Sequence, residues 1–336
     1  MRFHGVCYDA GTRYDEISSR RCWDAALVER EIEAICSELH CSSILVFGSA
    51  LDRIDLAARL ALERGLRVTV QPRSIDGDHA TVLRQLAEAA ELAESLRRDR
   101  PDVVLSVGCE LSLFAAGVVA GETFRERSGP LLSGGPPSDD VQTRLNALLA
   151  RAAGTARSRF GGELTYAAGG WEVVDWEDFD RVAVDHYRGA YNEASYVSQL
   201  RALTRLGKPV VVAEFGCCAY AGADQRGGAG AEIVSWTPYP HLDDPPQRSE
   251  STQARYLVEL LEIFQAARVH EACVFQFVEP AYPHAADPRL DLDRASFALV
   301  KTLREDQTRA DAPYRIEPKL AFHAVAAHYA ANHGHR

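Results

Sequence analysis

The sequence predicts a single (β/α)8 barrel, and three observations carry that expectation. Eight short apolar runs recur along the 336 residues, each followed by helical or connecting sequence. Repeated β-then-α order implies parallel strands with helices outside. One of these runs, Lys208-Pro-Val-Val-Val-Ala-Glu-Phe-Gly216, is apolar without alternation and bounded by Gly and Pro, so it reads as a strand buried on both faces. Finally, a chain of this length that is 46% hydrophobic and 25% charged has the core material of one barrel. An open doubly wound sheet is the competing architecture. It would carry a Gly-rich phosphate loop after its first strand, and the loop Tyr8-Asp-Ala-Gly-Thr-Arg13 has no such pattern.

The elements follow in order. Strands are expected at 2–8, 43–47, 66–71, 101–107, 163–167, 180–185, 208–214 and 272–277. Helices are expected at 23–39, 52–64, 79–98, 194–206 and 251–268, from apolar residues at helical spacing. Gly65 is placed to end the second of these helices. Two more helices are expected near 293–304 and 318–330. One domain is expected over 1–336. It carries an insertion around 111–160, with helices flanking a Gly-, Pro- and Ser-rich loop at 128–138, and a long loop after strand seven at 219–249.

A net charge of −11 argues against nucleic acid and against anionic membrane surfaces, because both are bound through basic patches. The most apolar helix-like run, 111–120, is too short to span a bilayer. The first residues run into a strand with no apolar signal region. Eight cysteines in such a chain read as reduced thiols and point to the cytoplasm. Their spacing matches no common zinc pattern, and neither metal nor cofactor is expected. Asp287, Asp291 and Asp293 alternate but lack the glycine and terminal Glu of a calcium loop, so they read as a solvated turn. Oligomeric state is not legible.

In a barrel, the C-terminal strand ends open onto one face, where such enzymes keep their chemistry. Those ends bring together Tyr8, Arg73, Cys109-Glu110, Asp185-His186-Tyr187, Glu214 and Gln276 to Glu279. Glu110 and Glu214, from strands four and seven, would face each other across the mouth. Cleavage of a glycosidic bond needs such a pair, one acid to protonate the leaving oxygen and one to attack or stabilise the oxocarbenium centre. The two must differ in pKa, so their surroundings must differ.

Here the chain resembles the clan of retaining (β/α)8 glycoside hydrolases known as clan A. The stretch Phe179-Asp-Arg-Val-Ala-Val-Asp-His-Tyr187, then 203–216, follows that clan's wording from strand six to strand seven. Ala295-Ser-Phe-Ala-Leu-Val300 and Pro318-Lys-Leu-Ala-Phe-His-Ala-Val325 follow its C-terminal wording. The resemblance implies Glu110 as general acid/base, Glu214 as nucleophile and Tyr187 as the neighbour of that nucleophile. Two positions depart from it. Cys109 stands where the clan usually has an Asn that bonds the sugar 2-hydroxyl, and a thiol is a weak donor and acceptor. Gln276 and Phe277 stand where the clan usually has a Trp under the sugar ring. Further contacts to a small glycoside are expected from His186, Tyr8, Arg73 and Glu279, and from Trp236 on the long loop. Two alternatives remain on the same scaffold: a lyase, transferase or cyclising reaction, or a binding protein without catalysis. A thiol nucleophile, Cys109 or Cys217 with His186, is a further alternative.

Overall fold

The computed structural model describes residues 1–14, 17–133 and 137–332. Eight parallel strands close into a barrel: β1 (Phe3–Asp9), β2 (Ser43–Gly48), β3 (Arg67–Pro72), β4 (Val103–Cys109), β5 (Glu163–Ala168), β6 (Val182–Asp185), β7 (Val210–Phe215) and β8 (Glu271–Val274). Each pairs with its sequence neighbours, and β8 closes the ring onto β1 through Phe3↔Glu271 to Val6↔Val274. The outward residues of these strands meet the helix layer, so the strands are buried on both faces, as their unbroken apolar runs require.

The outer layer contains α1 (Ala25–Glu33), α2 (Leu51–Glu63), α3 (His79–Asp99), then α4 (Leu111–Phe114), α5 (Phe124–Ser133) and α6 (Asp139–Arg157) between β4 and β5, then α7 (Tyr196–Thr204), α8 (Glu250–Ala266) and α9 (Leu320–Asn332). Side chains set where several of these helices begin. Asp24 accepts the Leu27 N–H at 2.9 Å, and Asp78 accepts the Thr81 N–H at 2.8 Å. Each such cap is worth about 1 kcal/mol. Val82, Leu86, Ala90 and Ala93 give α3 its buried stripe. Complete burial of each Val or Leu stabilises the fold by roughly 1.5–3 kcal/mol. The N-terminal end of the barrel is closed by ion pairs: Arg181 reaches Glu271 at 3.1 Å and Glu163 at 2.9 Å, and Arg67 also pairs with Glu163.

Three expectations change. The stretch expected to be a helix at 293–304 is a single turn at Leu292–Ala295 followed by β9 (Val300–Arg304), antiparallel to β10 (Tyr314–Pro318). Val300 and Thr302 are buried while Lys301 and Leu303 are half-exposed, a period of two that suits β-branched residues in a hairpin. Strand eight ends at Val274 rather than 277, because the chain then bends so that the Gln276 carbonyl takes the Leu299 N–H at 2.9 Å. The region around 128–138 is helical up to Ser133, and residues 134–136 of that expected loop lie outside the described residues. No described helix is long and apolar enough to cross a membrane.

Candidate active site

A regular strand alternates its side chains, so what reaches the barrel mouth depends on register. Two irregularities decide it. Between β4 and β5, Ser106 pairs with Thr165 but Cys109 pairs with Ala167. The extra residue on β4 brings Cys109 into the interior cluster with Cys7, Leu45, Phe47 and Ala213. Between β6 and β7, Val184 pairs with Val212 and Asp185 with Glu214. The extra residue on β7 lets Glu214 follow the inward Ala213 onto the same rim, while Phe215 packs outward on Phe264 with ring centroids 4.9 Å apart. Bulges of this kind re-aim side chains.

Glu110 follows β4 in a left-handed conformation, φ 42° and ψ 50°. That costs a residue with a Cβ about 1–2 kcal/mol, so the surroundings must impose it. They do so through a dense set of hydrogen bonds. The Glu110 N–H bonds the Ala167 carbonyl at 2.9 Å. The Leu111 N–H bonds the Tyr166 hydroxyl at 2.6 Å, which in turn donates to Glu172 at 2.7 Å. Glu172 also takes the Ser112 N–H at 3.0 Å and its hydroxyl at 2.5 Å.

The mouth brings Glu110, Asp185 and Glu214 together with the Arg73 guanidinium. Arg73 pairs with Glu214 Oε1, donates from Nε to Gln71 at 3.1 Å, and lies with Cζ 3.8 Å above the Phe47 ring. The Tyr187 hydroxyl donates to Glu214 Oε2 at 3.1 Å. The Cys109 thiol donates to Asp185 Oδ2 at 3.3 Å and lies 3.8 Å from Glu214 Oε1. Burial, then the charge of Glu214, then that of Glu172, push the Glu110 carboxyl well above the usual carboxylate range. Asp185 is raised the same way, by burial and then by Glu214 and Glu110, against the pull of Arg73. Burial also pushes the Cys109 thiol up. Aromatic rings pack in the same interior cluster as Cys109. Tyr14 sits 5.4 Å from Phe124 and 6.4 Å from Phe114, and Phe275 stacks on Phe47 at 5.9 Å.

Of the residues nominated from sequence, Glu110, Glu214, Cys109, Arg73 and Tyr187 meet at this mouth. The others are placed elsewhere. Tyr8 turns outward, because its inward neighbours on β1 are Cys7 and Asp9, and its hydroxyl donates to Glu31 at 2.6 Å beside Arg20. His186 stacks on Tyr196 at 4.0 Å with Nε2 3.3 Å from the Tyr196 carbonyl, and burial lowers its pKa to about 4. It therefore supports α7, and among the described residues it bonds Tyr196 rather than a thiol. Glu279 takes the Ser296 hydroxyl at 2.8 Å and the Phe297 N–H at 3.0 Å, and burial raises its pKa to about 7. Gln276 is buried, with a side-chain oxygen that has no hydrogen-bond partner among the described residues. Phe277 faces outward onto Phe322, so Phe275 is the ring that the end of strand eight presents to the interior. Trp236 and Tyr239 line a separate groove of about 820 Å³ with Pro238, Ala281 and Leu290.

Sequence reasoning placed Asp185 at a strand end without giving it a role, and left out Glu172, Tyr14, Phe114 and Phe124. Asp185 carried the signal that flagged Glu214, an acid ending a buried apolar strand. Phe114 ends α4, Phe124 begins α5 and Tyr14 lies in the connection after β1, and nothing in their spacing points to the mouth. Donor atoms of Cys109, Asp185 and Glu214 lie within 4.8 Å of one another, close enough to grip one cation. Arg73 already supplies positive charge there, and a dication would sit against it. Asp291 and Asp293 are buried rather than solvated, and they hold Arg248, Arg294 and Lys319.

By sequence, no protein-family model matches this chain, and no curated protein does. By structure, it superposes on a GH113 β-mannanase from Alicyclobacillus acidocaldarius with a TM-score of 0.61, at 15% identity, covering 98% of each chain. A GH5-4 broad-specificity endoglucanase from Clostridium longisporum gives 0.59 at 12% identity, covering 98% of this chain and 97% of that one. The likeness shows the fold, a closed eight-stranded parallel barrel ringed by helices. Bacteroides uniformis β-glucuronidase 2 gives 0.60 at 14% identity, with 99% of this barrel matching 35% of that longer protein.

Proposed function

We propose that this protein is a retaining glycosidase acting on a small glycoside inside the cell, with Glu214 as nucleophile and Glu110 as general acid/base. The observation that carries this reading is the electrical contrast between two carboxyl groups at one barrel mouth. Glu214 faces the Arg73 guanidinium and the Tyr187 hydroxyl. Glu110 faces burial and other carboxylates, which favour its protonated form. A nucleophile must be an anion and a general acid must hold a proton, so the two environments suit the two roles. In the first step Glu214 attacks the anomeric carbon while Glu110 gives its proton to the leaving oxygen. In the second, Glu110 takes a proton from water, which displaces Glu214 with net retention.

The likeness to glycoside hydrolase barrels supports the reaction class. The crowding of the mouth by Tyr14, Phe114 and Phe124 favours a small substrate. Eight free thiols suit a reducing compartment. A second reading has its own support. A thiol at 109 in place of an amide, and Phe275 as the strand-eight ring, favour a lyase, transferase or cyclising reaction run by the same two acids. A panel of activated 2-fluoro glycosides, followed by mass spectrometry of the labelled peptide, tests the proposal. A label on Glu214 supports it. Labelling elsewhere, or none across the panel with Glu214→Gln unchanged in function, overturns it. Product analysis separates hydrolysis from the second reading.

A further inference from the structure

The carboxyl group that neither catalytic role uses is Asp185. It ends β6 opposite Glu214, is 4% exposed, and has one oxygen, Oδ1, that is buried with no hydrogen-bond partner among the described residues. Its other oxygen accepts the Cys109 thiol at 3.3 Å. The groups facing it are Glu214 from β7, Glu110 and Cys109 from the end of β4, Arg73 from the end of β3, and Tyr187 from its own connection. Arg73 is the one cation in that set, and it is committed to Glu214 and Gln71. Two carboxylates sharing one desolvated site do not both ionise. With Glu214 holding the cation, Asp185 is left to stay neutral.

We propose that Asp185 is a positioning residue of this site, carried as the neutral acid with its proton on Oδ1, while its Oδ2 receives the Cys109 thiol and the Arg73 charge is left to Glu214. An ionised Asp185 would put a second negative charge next to the nucleophile. It would repel the charge on Glu214 and compete for Arg73. As a neutral acid it does neither, and it still accepts the weak thiol donor that stands where an amide would bond the substrate. Burial and the neighbouring carboxylates push Asp185 in the direction this requires. The role assigned to Glu214 rests on the glycosidase reading above, whereas the protonation of Asp185 does not.

The test labels the aspartate side-chain carboxyls with carbon-13 in the full chain and follows their chemical shifts with pH. The expected result is one aspartate that remains protonated at neutral pH in the wild type, and loss of that signal in Asp185→Asn. A wild type whose aspartates are all ionised at neutral pH overturns the proposal even if the variant does not fold. So does a protonated signal that persists in the folded variant. On a 2-fluoro glycoside that labels Glu214 in the wild type, Asp185→Asn should label within about tenfold of the wild-type rate, since the amide is neutral and of the same shape. Loss of labelling by more than about a hundredfold in a folded Asp185→Asn overturns the charge-setting role. Failure of every glycoside to label the wild type instead counts against the glycosidase reading and leaves the carbon-13 result standing on its own.

Discussion

Arg73 and Glu214, from the ends of β3 and β7, form a buried ion pair across the barrel mouth, their side chains 4% and 8% exposed. Removing one member of such a pair leaves an uncompensated charge where water cannot reach it. Arg73→Met should therefore lower unfolding free energy by about 3–5 kcal/mol and abolish labelling of Glu214. Chemical denaturation and trapping measure the two effects separately. A variant as stable as the wild type would show that the pair is not desolvated.

Glu110 is expected to act while protonated. Its raised pKa places the alkaline fall of activity at the pH where that proton is lost. On a substrate with a poor leaving group, the rate should decline as pH rises through that value. Glu110→Gln should remove this limb and slow such substrates far more than activated ones. A pH–rate profile that keeps its alkaline limb in Glu110→Gln would assign the acid elsewhere.

Stability carries the same signature. In the unfolded chain Glu and Asp ionise near pH ~4.3 and ~3.9, but in the fold Glu110 and Asp185 hold their protons to higher pH. The folded state binds more protons across that window, so each group's contribution is full below the unfolded pKa and is lost as pH rises toward the folded one. Glu110→Gln and Asp185→Asn should accordingly melt higher than the wild type at pH ~7.5 and show little difference at pH ~4. Calorimetry at the two pH values checks the sign.

Cys109 should be chemically quiet. Burial first, with Glu214, raises its thiol against the opposing pull of Arg73, and the thiolate is the reactive form. In the native protein, iodoacetamide should modify the half-exposed Cys22 and Cys36 well before Cys109. Peptide mapping reads the order, and rapid loss of Cys109 would revive the thiol-nucleophile alternative.

Tyr8→Phe separates fold from site. Its hydroxyl serves Glu31, in a fully buried cluster with Arg20 and Tyr314. The substitution should cost about 1–3 kcal/mol of stability and leave Glu214 labelling unchanged.

The barrel was legible because its causes are local. Runs such as 210–215 are apolar on both faces, and a chain that alternates them with helices must close or stack its strands in parallel. The place of Glu110 and Glu214 at the barrel rim was legible for a related reason, since each stands at the end of a buried apolar run. The helix expected at 293–304 failed because a short apolar run, Phe297 to Val300, fits either period, and only pairing with Tyr314–Pro318 selects the strand. Tyr8 failed because strand ends were treated as all facing one way, when alternation sends Cys7 and Asp9 inward and Tyr8 out.

The sequence by itself determined the ring of strands, its helical coat and the acids at its rim, since propensity and hydrophobic period act over a few residues. Only the tertiary structure decided which side chains meet there. The bulges that turn Cys109 and Glu214 inward, and the Arg73–Glu214 pair across 141 positions, depend on register between strands. Register is a property of two segments at once, so neither segment's sequence contains it.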